Sequence, residues 1–265
     1  MNNLSLSHMS AVEVSPIEFV TIAAEAGCKQ VSAFVQQIPG QNKFPVVDQD
    51  NLHTMRQQLQ ASDVQISNVE CFMITPKTTI ELYRPALELG AELGARSATV
   101  LLYDTDESRV SDMLAQFCQL AASLGLRVGF EFLAMTPRWN TLTEAAQLVA
   151  NIAQPNLGLG VDFLHMVRSG SSAADLAAVA PELIAYAQLC DGVDLSVTQD
   201  YADEASFNRL APGDGNFPIQ AFLQALPANT PLDIEVPQLQ TRPTAERMRH
   251  IVAATKRQLQ LAGLL

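Results

Sequence analysis

The sequence is poor in positive charge, in histidine and in cysteine, and these shortages exclude several classes of protein. Its 265 residues include 16 lysines and arginines against 28 aspartates and glutamates, which gives a net charge of −12. Such a surface repels phosphate backbones and no cluster of basic residues offsets it, so nucleic acid is not an expected partner. The four cysteines lack a CxxC spacing, which favours buried free thiols in a reducing compartment.

Long apolar runs are also missing. None is long enough to span a lipid bilayer, and the first residues lack the basic region and the apolar stretch of a signal peptide, so we expect a cytoplasmic protein with no membrane contact. Hydrophobic residues make up 48% of the chain, enough for a sizeable core. No linker rich in proline, glycine or serine divides the sequence, which predicts a single domain over residues 1–265.

Short runs of strand formers alternate with amphipathic helical segments along the whole chain. The pattern predicts eight strands and eight helices in alternation, at about 33 residues per unit, which is typical of a single (β/α)₈ TIM barrel in the α/β class. A doubly wound sheet would need a glycine fingerprint after its first strand, and none is present. One long irregular loop is predicted over residues 191–216.

Four predicted strands end with an oxygen-bearing side chain. In a barrel the carboxyl ends of the strands meet at one rim, where the chemistry takes place. Three adjacent carboxylates repel one another unless a cation lies between them. Oxygen ligands favour a hard ion, so the sequence predicts one divalent metal ion, Mn²⁺ or Mg²⁺ before Co²⁺ or Zn²⁺. The predicted ligands are Glu131, Asp162, Gln188 and Glu235.

Further candidates lie in the segments that follow the strands. His165 comes three residues after Asp162; a lone histidine is more often structural, but its position on the rim indicates a general base or a neighbour of the metal. Arg209 precedes a glycine-rich turn at residues 212–215, which either holds a substrate carboxylate or phosphate or is an ordinary surface loop. Three weaker candidates for substrate contact are Glu70, Phe72 and Trp139.

Taken in order, these segments resemble the xylose isomerase-like TIM barrels, the sugar phosphate isomerase/epimerase superfamily. The resemblance rests on Gly129-Phe-Glu131, Asp162-Phe-Leu-His165, Ala187-Gln-Leu-Cys-Asp191, Pro212-Gly-Asp-Gly215 and Ile234-Glu235. Many members carry histidine where this chain has Gln188, whereas glutamine there is similar to hydroxypyruvate isomerases and 3-dehydroshikimate dehydratases. The endonuclease IV branch needs more histidines than the four in this chain. The resemblance implies a small polyhydroxy carbonyl substrate, and barrels of this kind often form homo-oligomers.

Three functional hypotheses follow. The leading one is a metal-dependent isomerase or epimerase in which Glu131 and Glu235 move a proton next to a carbonyl through an enediolate. The second is a dehydratase of the 3-dehydroshikimate dehydratase type, with His165 as the base. The third is a catalytically silent binding barrel, which the intact carboxylates argue against. The sequence leaves the substrate open, including whether it is phosphorylated.

Overall fold

Eight parallel strands close into a barrel in which each strand pairs with the next in sequence and β8 returns to β1. The structure is a computed structural model that describes residues 4–38, 43–193, 200–239 and 241–265. The closed barrel, with helices between its strands, confirms the predicted (β/α)₈ fold. Within the described ranges, no helix is long and apolar enough to cross a bilayer.

The strands bring their carboxyl ends to one rim of the barrel. Their bounds are β1 Leu4–Ser7, β2 Gln30–Phe34, β3 Gln65–Ile74, β4 Ser97–Leu102, β5 Arg127–Glu131, β6 Leu157–Asp162, β7 Ile184–Leu189 and β8 Leu232–Ile234. The α-helices are α1 Pro16–Glu25, α2 Leu52–Ser62, α3 Arg84–Glu92, α4 Glu107–Ser123, α5 Leu142–Ile152, α6 Phe163–Arg168, α7 Ala173–Ala178, α8 Tyr201–Phe207, α9 Ile219–Ala225 and α10 Thr244–Leu261. Short 3₁₀ turns occur at His8–Ala11, Ile80–Tyr83 and Pro181–Leu183.

The prediction of eight helices was wrong, because ten α-helices occur in the described part of the chain. The first omission was α6, which begins directly after β6 because the Asp162 carboxylate accepts the backbone N–H groups of Leu164 and His165. The second was α8, which lies inside the predicted irregular loop and is capped in the same way by Asp200. Both helices are short, so neither shows the long apolar period that reveals a helix in sequence.

The sequence from Thr78 to Leu93, which is followed by Gly94, predicts one helix, but the structure divides this segment. Its first part is the 3₁₀ turn Ile80–Tyr83, and α3 starts at Arg84. Pro85 occupies the first turn of α3, where a missing backbone N–H costs no hydrogen bond. The proline therefore marks a helix start within the segment.

The inside of the barrel is polar around its middle, unlike the apolar layers that fill many TIM barrels. Tyr186 on β7 is buried there, and its hydroxyl lies 2.6 Å from the Thr99 hydroxyl. The Tyr186 side chain lies over Gly129 and Gly160, where an added Cβ would overlap its ring and its hydroxyl group, respectively. Because strand side chains alternate between faces, these glycines share the inner face with the residues two positions later, Glu131 and Asp162.

Candidate active site

The four predicted metal ligands lie at the same rim. Glu131 and Asp162 are the last residues of β5 and β6, Gln188 is the last but one of β7, and Glu235 follows β8 directly. The strand register places Asp162 opposite Gln188. All four side chains are buried, with at most 7% exposure, because loops and short helices cover the rim.

The arrangement of polar atoms fits a divalent metal ion. Ligand atoms of Glu131, Asp162 and His165 lie within 4.8 Å of one another. The Gln188 side-chain N–H donates to the Glu235 carboxylate, which leaves the Gln188 Oε1 atom buried and without a hydrogen-bond partner in the described part of the protein. A buried carbonyl oxygen without a partner is costly, and a hard cation among these groups would satisfy it.

The acids of the cluster differ in their proton affinities. Burial, together with the charge of Asp162, raises the pKa of Glu131 to about 8. Burial also raises the pKa of Glu235 well above its ordinary value. For Asp162 burial is the largest single cause and acts in the same direction, but the charge of Arg209, an electrostatic contribution from His165 and the hydrogen bonds donated by Arg209 and the Leu164 N–H together outweigh it and lower the pKa. The protein alone therefore stabilises only some of these acids as carboxylates, as expected for a site that requires a cation.

Arg209 is buried inside the cluster. Its Nη1 lies 2.5 Å from an Asp162 oxygen, its Nη2 lies 3.2 Å from a Glu235 oxygen, and its Nε donates to the Ala205 carbonyl at 3.0 Å. Only 3% of the residue is exposed. The guanidinium that the sequence offered to a substrate anion is thus bound to two of the chain's own carboxylates.

The glycine-rich turn after Arg209 also binds a carboxylate, that of Asp191. Backbone N–H groups of Gly213 and Gly215 donate to one Asp191 oxygen at 2.9 and 3.0 Å, and those of Gly192 and Phe217 donate to the other at 2.8 and 2.9 Å. Asp191 therefore fixes the turn that follows Arg209. Asp191 is not among the site residues predicted from the sequence, although it is the last residue of the segment Ala187-Gln-Leu-Cys-Asp191.

His165 lies in the first turn of α6, next to Glu131. Its Nε2 is 3.5 Å from a Glu131 oxygen, and its Nδ1 contacts the Tyr201 hydroxyl. Burial lowers the pKa of His165 to about 4, so the ring is neutral at neutral pH. Tyr201 was not found from the sequence because it lies in the segment predicted to be irregular; the helix cap Asp200 just before it was the available signal.

A cavity of about 260 Å³ opens above the cluster. Glu70 contributes to its lining, and burial raises the pKa of Glu70 to about 8, with a further contribution from the charge of Asp233. Phe72 and Trp139 do not line it. The Phe72 ring packs against Tyr83 and Phe117, and the Trp139 ring lies 4.6 Å from the Arg138 guanidinium carbon.

Comparison with known proteins identifies the family. The family model described as a xylose isomerase-like TIM barrel matches residues 20–257. The chain belongs to the xylose isomerase-like TIM barrel family. This membership agrees with the closed barrel of eight parallel strands.

One curated relative of this family member is a 3-dehydroshikimate dehydratase of Pseudomonas aeruginosa, 32% identical over 153 residues. The alignment covers 56% of this chain but only 24% of the relative, so the chain matches about a quarter of that longer protein.

Several solved structures share the fold. A xylose isomerase-like TIM barrel/4-hydroxyphenylpyruvate dioxygenase fusion protein superposes with a TM-score of 0.80 at 21% identity, over 99% of this chain and 44% of that one. The IolI protein, solved with a bound zinc atom, superposes with a TM-score of 0.76 at 16% identity, over 98% of this chain and 97% of that one. A D-psicose 3-epimerase superposes with a TM-score of 0.73 at 14% identity, over 97% of this chain and 99% of that one. At these identities the likeness shows the fold alone.

Proposed function

We propose that this xylose isomerase-like protein is a divalent-metal-dependent isomerase or epimerase that moves a proton at the carbon next to a carbonyl group. The observation that carries the proposal is the buried cluster of three acids with the unpartnered oxygen of Gln188 beside it. Glu131, Asp162, Gln188 and Glu235 would hold the ion. When bound, the ion polarises the substrate carbonyl and acidifies the neighbouring C–H bond.

The protein's own groups then account for the movement of the proton. Glu131 and Glu235 come from β5 and from the end of β8, and so approach a substrate from different sides of the rim. Glu131 would remove the proton and Glu235 would return it. Tyr201 holds the neutral ring of His165 so that Nε2 faces Glu131.

A dehydratase is the second candidate function, favoured by the similarity to 3-dehydroshikimate dehydratase. Glutamine at the third ligand position is a further resemblance to those enzymes. This reaction begins with the same proton abstraction next to a carbonyl, with His165 as the base, but it ends with loss of a β-hydroxyl group as water.

The deciding experiment follows deuterium and ultraviolet absorbance together. The protein, loaded with Mn²⁺ in D₂O, is incubated with small hydroxy ketones and, separately, with 3-dehydroshikimate. Isomerase or epimerase activity places solvent deuterium next to the carbonyl without a new chromophore, whereas dehydration of 3-dehydroshikimate forms an absorbing aromatic product. Turnover of that compound at about 1 s⁻¹ or more, within the usual range of enzymes, would establish the second candidate instead of the first.

Metal dependence is tested on the same sample. Elemental analysis is expected to find about one divalent ion per chain, and treatment with a chelator is expected to abolish exchange until Mn²⁺ is restored. Glu131→Gln, which keeps the size of the side chain but removes both the proposed base and one proposed carboxylate ligand, is expected to lose exchange even when Mn²⁺ is in excess. Full exchange by a metal-free sample contradicts the proposal.

A further inference from the structure

The cavity above the metal ligands contains little free positive charge. Arg209 is the sole lysine or arginine among the described residues that line it, and the undescribed positions 1–3, 39–42, 194–199 and 240 contain neither residue type. The Arg209 guanidinium already binds Asp162 and Glu235. A substrate phosphate or carboxylate therefore has no unneutralised arginine in the lining to pair with.

The second anion-binding feature of this region is occupied as well. The backbone N–H groups of the turn at residues 212–215 are directed at the Asp191 carboxylate, which is 1% exposed. Two features that commonly recognise a substrate anion, a buried arginine and a nest of backbone amides, are thus both neutralised from within the chain.

Some of the arginines in the segments that follow the strands also form ion pairs with acids of the chain. Four such ion pairs are Arg109–Asp104, Arg138–Glu107, Arg168–Glu204 and Arg247–Glu13.

The charges of the ligand cluster also balance. Three carboxylates and one guanidinium leave a formal charge of −2, which one divalent ion cancels, so an added anion finds no net attraction.

The walls of the cavity are mainly apolar. Methionine provides three of its lining residues, Met9, Met73 and Met135, and Tyr103 lies with them. Met135 and Tyr103 are each 40% exposed. Methionine adapts its shape to an apolar partner and makes favourable contacts with aromatic rings. The cavity therefore joins a polar floor at the strand ends to an adaptable apolar wall.

We propose that the site accepts an uncharged hydroxy ketone with an apolar or aromatic portion, and that it discriminates against phosphorylated and carboxylated substrates. The hydroxy ketone group faces the metal ligands and the apolar portion contacts the methionine wall. This inference rests on the proposed function, because it assigns the substrate class of the same site.

Four probes test it by calorimetric titration of the Mn²⁺-loaded protein. One pair is dihydroxyacetone and dihydroxyacetone phosphate; the other is 1-hydroxy-3-phenylpropan-2-one and the same compound with a carboxylate at the para position of the ring. The neutral phenyl compound is expected to bind about tenfold or more tightly than each of the other three, corresponding to about 1.4 kcal/mol. Tighter or equal binding of either charged probe, or binding of none, overturns the inference.

A charge-gain variant provides a second measurement. Met135→Lys adds a cation at the partly exposed wall, and Met135→Gln is the control of similar size without charge. Dihydroxyacetone phosphate is expected to bind about fivefold or more tightly to the lysine variant than to the glutamine variant, an increase expected of one nearby charge. Equal binding to the two variants contradicts the view that lack of free positive charge sets the specificity.

Deuterium exchange with the same probes separates this inference from the proposed function. If the probes bind in the expected order and the neutral probes exchange deuterium, both the assigned substrate class and the proposed reaction are supported. The expected order without exchange supports the assigned ligand class but contradicts the isomerase or epimerase reaction. Exchange that is equal or faster with the charged probes supports the reaction and overturns the assigned substrate class.

Discussion

Gln188 is the residue at which this chain departs from the commoner histidine ligand. Its buried Oε1 atom has no hydrogen-bond partner among the residues described, while its Nε2 donates to Glu235. An amide oxygen adds a ligand without adding charge, and it is harder than an imidazole nitrogen. The proposed site would have three carboxylates and one neutral oxygen as ligands, a set for which we predict a preference for Mn²⁺ or Mg²⁺ over Zn²⁺.

We predict that Gln188→Ala weakens Mn²⁺ binding by about tenfold, because one of four ligands is lost, and that the fold is retained. Gln188→His is expected to keep a bound ion and to shift the preference towards Zn²⁺ or Co²⁺. Competition with a chromophoric chelator measures both affinities. Gln220→Ala, which removes an amide that pairs with Gln258 on the protein surface, serves as control. Unchanged affinities in both Gln188 variants would remove this residue from the metal site.

At the residue scale, the sequence was sufficient to select candidate site residues, but it did not show which residues distant in sequence form ion pairs with them. Glu131, Asp162, Gln188 and Glu235 could be selected because each ends a predicted strand, and barrel geometry then brings strand ends together. The ion pair between Asp162 and Arg209 joins residues 47 positions apart, and no local pattern encodes it. The sequence therefore left Arg209 either as an anion-binding residue or as part of a surface loop, and it did not reveal the pairing with acids of the same chain.

At the scale of the elements, β5, β6 and β7 pack together around one buried aromatic ring, that of Tyr186. Tyr186 on β7 occupies the space that side chains at Gly129 and Gly160 would need. Gly160 in the Leu-Gly-Leu-Gly-Val run at residues 157–161 is thereby explained, because it faces the Tyr186 ring on the inner face of the barrel. Gly158 has other neighbours, since an added Cβ there would approach the Arg127 guanidinium, the Leu183 carbonyl oxygen and the Ala185 side chain. The same face carries Asp162, so packing below the rim positions the ligands above it.

We predict that Gly129→Ala lowers the free energy of unfolding by about 1–3 kcal/mol, because the new methyl group overlaps the buried Tyr186 ring. Chemical denaturation measures the loss. In the background of Tyr186→Leu the same change at residue 129 is expected to cost less, which gives a coupling energy between the two positions. Additive losses in the double variant would show that the ring is not the cause.

Element boundaries were predicted well where strong strand formers meet a turn and poorly where an element is short. The sequence predicts strands over residues 30–34, 97–102 and 157–162, and these bounds agree with β2, β4 and β6 in the structure. The short helices α6 and α8 were missed, although both begin at an aspartate cap. Their helical form depends on packing over the rim rather than on a long amphipathic period. These two helices carry His165 and Tyr201, so the omission affected the site most.

For the molecule as a whole, the polar barrel interior links stability to pH and to metal binding. Burial is the main cause that raises the pKa of Glu70 and Glu131 to about 8 and that of Asp233 to about 7. An acid with a raised pKa in the folded state binds its proton more tightly there than in the unfolded chain. Its contribution to stability is complete below the unfolded pKa of about 4 and is lost as the pH rises through the folded pKa.

The opposite shift occurs at the buried histidines, His8 and His165, whose pKa burial lowers to about 4. A group of this kind gains stability for the folded state as the pH rises from the folded pKa to the unfolded pKa of about 6.5. Above about pH 7 the histidines are neutral in both states. A change in stability between pH 7 and 8.5 therefore reflects the titration of the buried acids and not that of the histidines.

We predict that the metal-free protein loses stability between pH 7 and 8.5, by about 1 kcal/mol or more, which lowers its melting temperature by about 2–4 °C. Saturation with Mn²⁺ is expected to raise the melting temperature and to flatten this pH dependence, because an ion bound only by the folded state stabilises the deprotonated ligands. Differential scanning calorimetry with and without chelator measures both effects. Glu70→Gln, which removes one buried acid that is not a proposed ligand, should make the slope of the metal-free protein shallower. A melting temperature independent of pH over this interval in the metal-free protein would show that the buried acids do not control its stability.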